Sequence, residues 1–147
     1  MFTRIVVGTD GSETAAEAVS QAIDLASISG AQLSLVSAYA PISKRRLEGE
    51  QREAPADVQY EIGPREDVNL ILESAAASAK QKGVEVQIHP IEGNPGDAIL
   101  GVAEDTNADL IVVGNKGMTG AARFLLGSVP NNISHHAPCS VMIVRTT

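Results

Sequence analysis

Gly114 and Gly117 are separated by two residues, and after nine more residues come Gly127 and Ser128. Glycines and a serine in this spacing suit the binding of an anion. The stretch follows Leu110-Ile111-Val112-Val113, an all-apolar run that reads as a strand buried on both faces. Gly114 then stands where that strand ends, and open parallel sheets bind ligands just beyond the carboxyl ends of their strands. A glycine there lets the chain turn sharply and lets a ligand approach main-chain N–H groups with no Cβ in the way. Ser128 reads as the N-cap of a helix whose first turn holds Val129 and tolerates Pro130. The amides of such a turn lack intrahelical acceptors, and the helix dipole adds partial positive charge. The simplest ligand for this combination is a phosphate.

Other residues bear on that chemistry. Asp10 ends the first apolar run, Ile5-Val6-Val7, and so opens on the same sheet edge as Gly114. A carboxylate beside a phosphate repels it unless a cation intervenes. Mg²⁺ characteristically takes one or two carboxylates plus phosphates, so Mg²⁺ or Mn²⁺ on Asp10 is one reading; an Asx turn before the first helix is the other. Lys116, inside the glycine stretch, could add charge to a phosphate contact, or could be merely solvated. His135 and His136 come late in the last helix, where they complement its dipole, and with His89 far away no metal-ligand spacing emerges. Gly-x4-Gly-Lys-Ser/Thr is absent, so this is not a standard phosphate-loop NTPase, and the absence of Gly-x-Gly-x-x-Gly after the first strand counts against a typical dinucleotide enzyme. Gly-x-Ser-x-Gly is also missing, and Cys139 reads as a packed strand residue. No general base stands out, so no catalytic residue is assigned.

The elements that must position these residues follow in order. Arg4–Thr9 reads as strand one, and Asp10-Gly11-Ser12 as a turn. A helix over 13–29 carries Ala15, Ala18, Val19, Ala22, Ile23 and Ala26 on one face, with Gly30 as its stop. Strand two spans 33–39. The segment 40–64, with Pro41, Pro55 and Pro64, shows no sustained period and reads as a long surface connection. Val68, Ile71, Leu72, Ala75 and Ala79 give a second helix its buried face, ended by Gly83. Val84, Val86 and Ile88 alternate as in strand three. A turn at 93–96 leads into a helix with Pro95 near its start. Strand four, the glycine stretch, a helix ended by Pro138 and strand five over 140–145 complete the chain. Strands alternating with helices imply an α/β fold: a single domain over residues 1–147, a three-layer α/β/α sandwich around a five-stranded, mainly parallel sheet.

Composition sets bounds. A chain of 147 residues can bury a real core, built from aliphatic residues because aromatics make up 3% and Trp is absent. A net charge of −7 argues against general nucleic-acid binding. One cysteine permits no intrachain disulfide. No signal-peptide pattern and no apolar run of the ~20 residues a membrane helix needs are present, which leads to the expectation of a cytoplasmic protein without a membrane partner.

Three blocks in order carry a family resemblance. They are Ile5-Val6-Val7-Gly8-Thr9-Asp10-Gly11-Ser12, the Gly-x2-Gly-x9-Gly-Ser pattern, and Ala137-Pro138-Cys139-Ser140-Val141-Met142-Ile143-Val144. Together they resemble the universal stress protein family, in its UspA-like, ATP-binding subgroup, over nearly the whole chain. The resemblance implies a Rossmann-like fold of the adenine nucleotide alpha hydrolase-like kind. It implies a nucleotide site in which Thr9 and Asp10 line the pocket and the backbone at Ala38 meets the adenine edge. Val113 and Gly114 would lie beside base and ribose, and Gly117, Gly127, Ser128 and Val129 beside the phosphates. Pro130 departs from the hydroxyl residue many nucleotide-binding members have there, and it removes an amide and a side-chain donor. ATP with a divalent cation is the first ligand expected; AMP or cyclic AMP is the alternative. The implied role is a stress-response sensor or regulator, with slow ATP hydrolysis or autophosphorylation as family traits. Rival readings are a small enzyme of the same fold, such as an adenylating enzyme or flavoprotein, and an interaction module with an empty pocket. The terminal strand, Ser140 to Arg145, has little to protect it at a sheet edge, so a homodimer built on that strand is expected.

Overall fold

A computed structural model describes residues 1–39, 64–115 and 128–146. Their elements are β1 (Arg4–Gly8), α1 (Glu13–Ser29), β2 (Gln32–Tyr39), α2 (Pro64–Gln81), β3 (Val86–Glu92), α3 (Pro95–Asp105), β4 (Leu110–Gly114), α4 (Ser128–His136) and β5 (Ser140–Val144). The strands pair in the order β3-β2-β1-β4-β5, and every pair is parallel. This is the expected α/β sheet covered on both faces. The connection foreseen over 40–64 lies outside the described residues apart from Pro64, which begins α2.

Side chains of a strand alternate between faces, so each apolar strand here serves two layers. Ile5, Val7, Leu33, Leu35, Leu110 and Val112 pack against α1 and α2. Val6, Val36, Ile111 and Val113 pack against α3 and α4. The helices meet them with small residues, among them Ala18, Ala22 and Ala26 of α1 and Ala98 and Ala103 of α3, all buried. Small side chains let a helix approach a sheet of β-branched residues closely, which suits a core with so few aromatics. On α2 the buried positions are Val68, Leu72, Ala76 and Ala79, while Ile71 and Ala75 are half-buried at the flank.

Ser12 caps α1, its Oγ accepting the Ala15 N–H at 3.2 Å, and Gly30 closes the helix at φ +74°. At the opposite edge of the sheet Asp109 accepts hydrogen bonds from the Thr3 N–H, the Thr3 hydroxyl and the Arg4 N–H, tying the start of β1 to the start of β4. Burial pushes the Asp109 carboxyl up, but these donors outweigh it and hold the group below its ordinary value.

β3 differs from the alternation read over Val84, Val86 and Ile88: it begins at Val86 and continues to Glu92 through His89 and Pro90. The proline is tolerated because of where it sits. The Leu33 N–H bonds the Glu85 carbonyl and the Gly93 N–H bonds the Tyr39 carbonyl, so odd-numbered residues of this stretch face β2. Pro90 therefore faces the outer side of an edge strand and removes no ladder bond. A second difference is at α4, which already includes Ser128; that residue takes the first helical position rather than the cap. Cys139 is half-buried in the bend before β5 rather than within the strand, and burial pushes its thiol pKa up.

Candidate functional site at the β1–β4 edge

β1 is the strand from which the sheet grows both ways: β2 and β3 lie on one side, β4 and β5 on the other. Chain order reverses between β1 and β4, and ligands of open α/β sheets enter at such a point, beyond the strands' carboxyl ends. β1 and β4 run parallel with Val7 opposite Val112, so Thr9–Asp10 and Val113–Gly114 leave the same edge side by side.

Thr9 is 3% exposed. Its N–H donates to the Val36 carbonyl at 2.9 Å, and its Oγ1 accepts the Gly11 N–H at 3.1 Å. Asp10 is half-buried, and its Oδ1 accepts the Ser12 N–H at 2.9 Å. The Asx turn is therefore formed, with the carboxylate at the edge of the sheet. Among the described residues no group of three His, Cys, Asp or Glu side chains could hold a metal ion. A cation on Asp10 would draw its other ligands from phosphates and water, a donor set that fits Mg²⁺.

Ala38, Val113 and Val129 all pack in or against the cluster beneath α3 and α4. Val113 is 3% and Val129 9% exposed, so their side chains belong to the core. Ser128 is exposed at the first position of α4. Gly114 is half-buried at the end of β4; a Cβ built there would meet the Thr146 Cγ2 at 3.6 Å and the Thr14 carbonyl oxygen at 4.0 Å, both ordinary contacts. Its backbone is not in the left-handed region. Glycine at this position therefore answers neither a required φ nor a clash: a methyl group would just fit against Thr146 and Thr14. Lys116, Gly117 and Gly127 lie outside the described residues.

Two features escaped the sequence reading. Asn115 bonds across to Thr146 in the tail beyond β5. α3 and α4 touch where Gly96 meets Asn132, whose Nδ2 would stand 2.7 Å from a Cβ at Gly96. The Gly96 contact was readable only as a glycine near a helix start; nothing in the sequence flagged Thr146. A cavity of about 530 Å³ also opens between α1 and α2, with Thr9 and Gly11 at one end and Lys82 at the other. Its walls are aliphatic apart from the hydroxyls of Ser20, Ser74 and Ser78, and Lys82, the charged residue that lines it, is paired with Asp24.

Comparison with known proteins agrees with this architecture. The Universal stress protein family profile matches residues 1–145. Universal stress protein Rv1636 of Mycobacterium tuberculosis is 37% identical over 147 residues, covering 99% of this chain and 98% of the relative. Universal stress protein YxiE of Bacillus subtilis is 33% identical over 150 residues, covering 99% and 100%. Among solved structures, a universal stress protein in complex with cAMP is 35% identical with a TM-score of 0.73, covering 99% of this chain and 98% of that one. UspA from Lactobacillus plantarum shares the fold with a TM-score of 0.81 at 21% identity, covering 97% of each chain. Five parallel strands around a β1–β4 edge, the three sequence blocks and these likenesses over nearly the full length place the chain in the universal stress protein family.

Proposed function

We propose that the chain binds an adenine nucleotide at the β1–β4 edge and acts as a stress-response sensor or regulator. The observation that carries this reading is the juxtaposition of Gly114, at the end of β4, and the Thr9–Asp10 turn at the point where strand order reverses. ATP with Mg²⁺ or Mn²⁺ on Asp10 is the first ligand. Lys116, Gly117, Gly127, Ser128 and Val129 are assigned to its phosphates, Ala38, Val113 and Gly114 to base and ribose. Cyclic AMP is the second reading. It is supported by Pro130, which deprives the first turn of α4 of an amide, and by the relative solved with cAMP. The chain assembles as a homodimer through β5. We assign binding rather than conventional catalysis.

The test begins with denaturing the purified protein and identifying any released nucleotide by mass spectrometry. Calorimetry with cAMP, ATP and ATP plus Mg²⁺ then ranks the ligands. Gly114→Ala is the decisive variant, because its Cβ meets only ordinary contacts in the ligand-free chain and should leave the fold intact. Binding weakened at least about tenfold is expected if the ligand occupies that space. Wild-type affinity in the folded variant overturns the assignment of Gly114, and absence of binding by the wild type overturns the function.

A further inference from the structure

Asn115 follows Gly114 directly, and its N–H donates to the Val144 carbonyl at 2.9 Å. Its Oδ1 accepts both the N–H and the hydroxyl of Thr146, each at 2.9 Å. A carboxamide oxygen offers two lone pairs. Both find donors here, so the side chain is held in one orientation. Both residues are half-buried, which limits competition from water. The residue that leaves β4 is thereby clamped to the tail that leaves β5. The clamp also brings the Thr146 methyl to the side of Gly114 that faces α1, 3.6 Å from the place of a Cβ, with Thr14 of α1 next to it.

We propose that Asn115 and Thr146 are positioning residues of the ligand site, holding the Gly114–Asn115 peptide in its binding orientation and closing the site on its α1 side. The proposal rests on the adenine-nucleotide reading. The tail beyond β5 then belongs to the binding architecture, although it lies about 30 residues from the glycine in sequence. A pair that only stitched the edge strand to the sheet would lower stability when broken and leave affinity unchanged. A positioning pair changes affinity, and it does so in the order in which hydrogen bonds are lost.

The experiment uses the full chain as wild type, Asn115→Ala, Thr146→Val and Thr146→Ser. Thermal midpoint, calorimetric affinity for cAMP and for ATP with Mg²⁺, and backbone amide spectra without ligand are measured for each. Asn115→Ala, which loses both side-chain bonds, is expected to weaken nucleotide about tenfold or more. Thr146→Val keeps the N–H bond and the shape and should cost about threefold, while Thr146→Ser keeps both bonds and should stay within about twofold of wild type. In the ligand-free chain, Asn115→Ala should shift the amides of Gly114 and of Thr9 across the edge. Affinities of Asn115→Ala and Thr146→Val within twofold of wild type overturn the proposal, as do amide changes confined to residues 144–146. Should Asn115→Ala not fold, Thr146→Val against Thr146→Ser decides alone. If the wild type binds neither nucleotide, the functional reading falls, and the amide shifts at Gly114 and Thr9 decide the clamp independently.

Discussion

Replacing Gly11 by alanine tests how the turn that carries Thr9 and Asp10 is seated on the helical layer. Gly11 has φ +82°, and a Cβ added there would stand 2.8 Å from Ile71 Cδ1 and 2.9 Å from Ile71 Cγ1 of α2. Two penalties follow. A left-handed conformation costs an alanine about 1–2 kcal/mol. Forcing a carbon into contact that close costs about 1–3 kcal/mol, because Cγ1 is not a free side-chain end and α2 must shift with it. The smaller entropy of the unfolded alanine chain returns about 0.4–1 kcal/mol. The net expectation is a destabilisation of about 1–4.5 kcal/mol, read as a fall in thermal midpoint of roughly 3–14 °C for a domain of this size. Urea denaturation followed by circular dichroism measures it. The steric part is isolated by a cycle with Ile71→Ala: Ile71 is half-buried, and truncating it removes the atoms that the new Cβ would strike. The double variant should therefore be more stable than the sum of the single effects by about 1–3 kcal/mol. Strict additivity, or a Gly11→Ala protein within 0.5 kcal/mol of wild type (about the spread of innocuous surface changes), refutes the reasoning.

Further expectations can be checked with the same protein. Asp10→Ala should reduce ATP affinity more in Mg²⁺ than in EDTA, since the carboxylate acts through a cation; equal losses would leave it only the Asx turn seen with Ser12. His89 is held below its ordinary pKa of 6.5 by burial, opposed by Asp105, and its Nε2 is buried with no hydrogen-bond partner among the described residues. The unfolded chain therefore takes up the proton first as pH falls below 6.5, so stability is lost there; His89→Gln should flatten the urea midpoint between about pH 7 and 5, and an unchanged slope would contradict this. The Val144 carbonyl faces β4, so by alternation the amides of Val141 and Ile143 face the open side of β5. Val141→Pro or Ile143→Pro should shift a homodimer toward monomer in sedimentation equilibrium. A wild type at monomer mass, or a dimer indifferent to both prolines, places assembly elsewhere.

The elements whose side chains follow one period were legible from the sequence. β1 and β4 are centred on the apolar runs Ile5-Val6-Val7 and Leu110-Ile111-Val112-Val113, and α1 shows its apolar face at helical spacing up to Gly30, which marks its end. β3 was harder, since His89 and Pro90 interrupt its alternation; only knowledge that it is an edge strand, with Pro90 turned outward, makes the sequence readable as strand. At the site, Gly114 and the Asp10 turn were visible because their chemistry is local. The Asn115–Thr146 clamp was not, because neither residue is unusual alone and their meeting depends on β4 and β5 being neighbours. The same limit applied to Val129, whose place in the nucleotide pattern did not disclose that its side chain is buried in the core.

Pro90 has a consequence for how many copies of this sheet can join. A sheet with two competent margins has a valence of two, and such units can add to one another without end. Here a strand arriving beside β3 would find no donor at Pro90, whereas one arriving beside β5 would meet the amides of Val141 and Ile143 and the exposed side chains of Met142 and Ile143. The sheet therefore has a valence closer to one. Two units of valence one, joined about a two-fold axis, exhaust each other, and growth stops at a pair. Replacing Pro90 would restore that donor and, for units joined through β5, open a route from a pair to a filament.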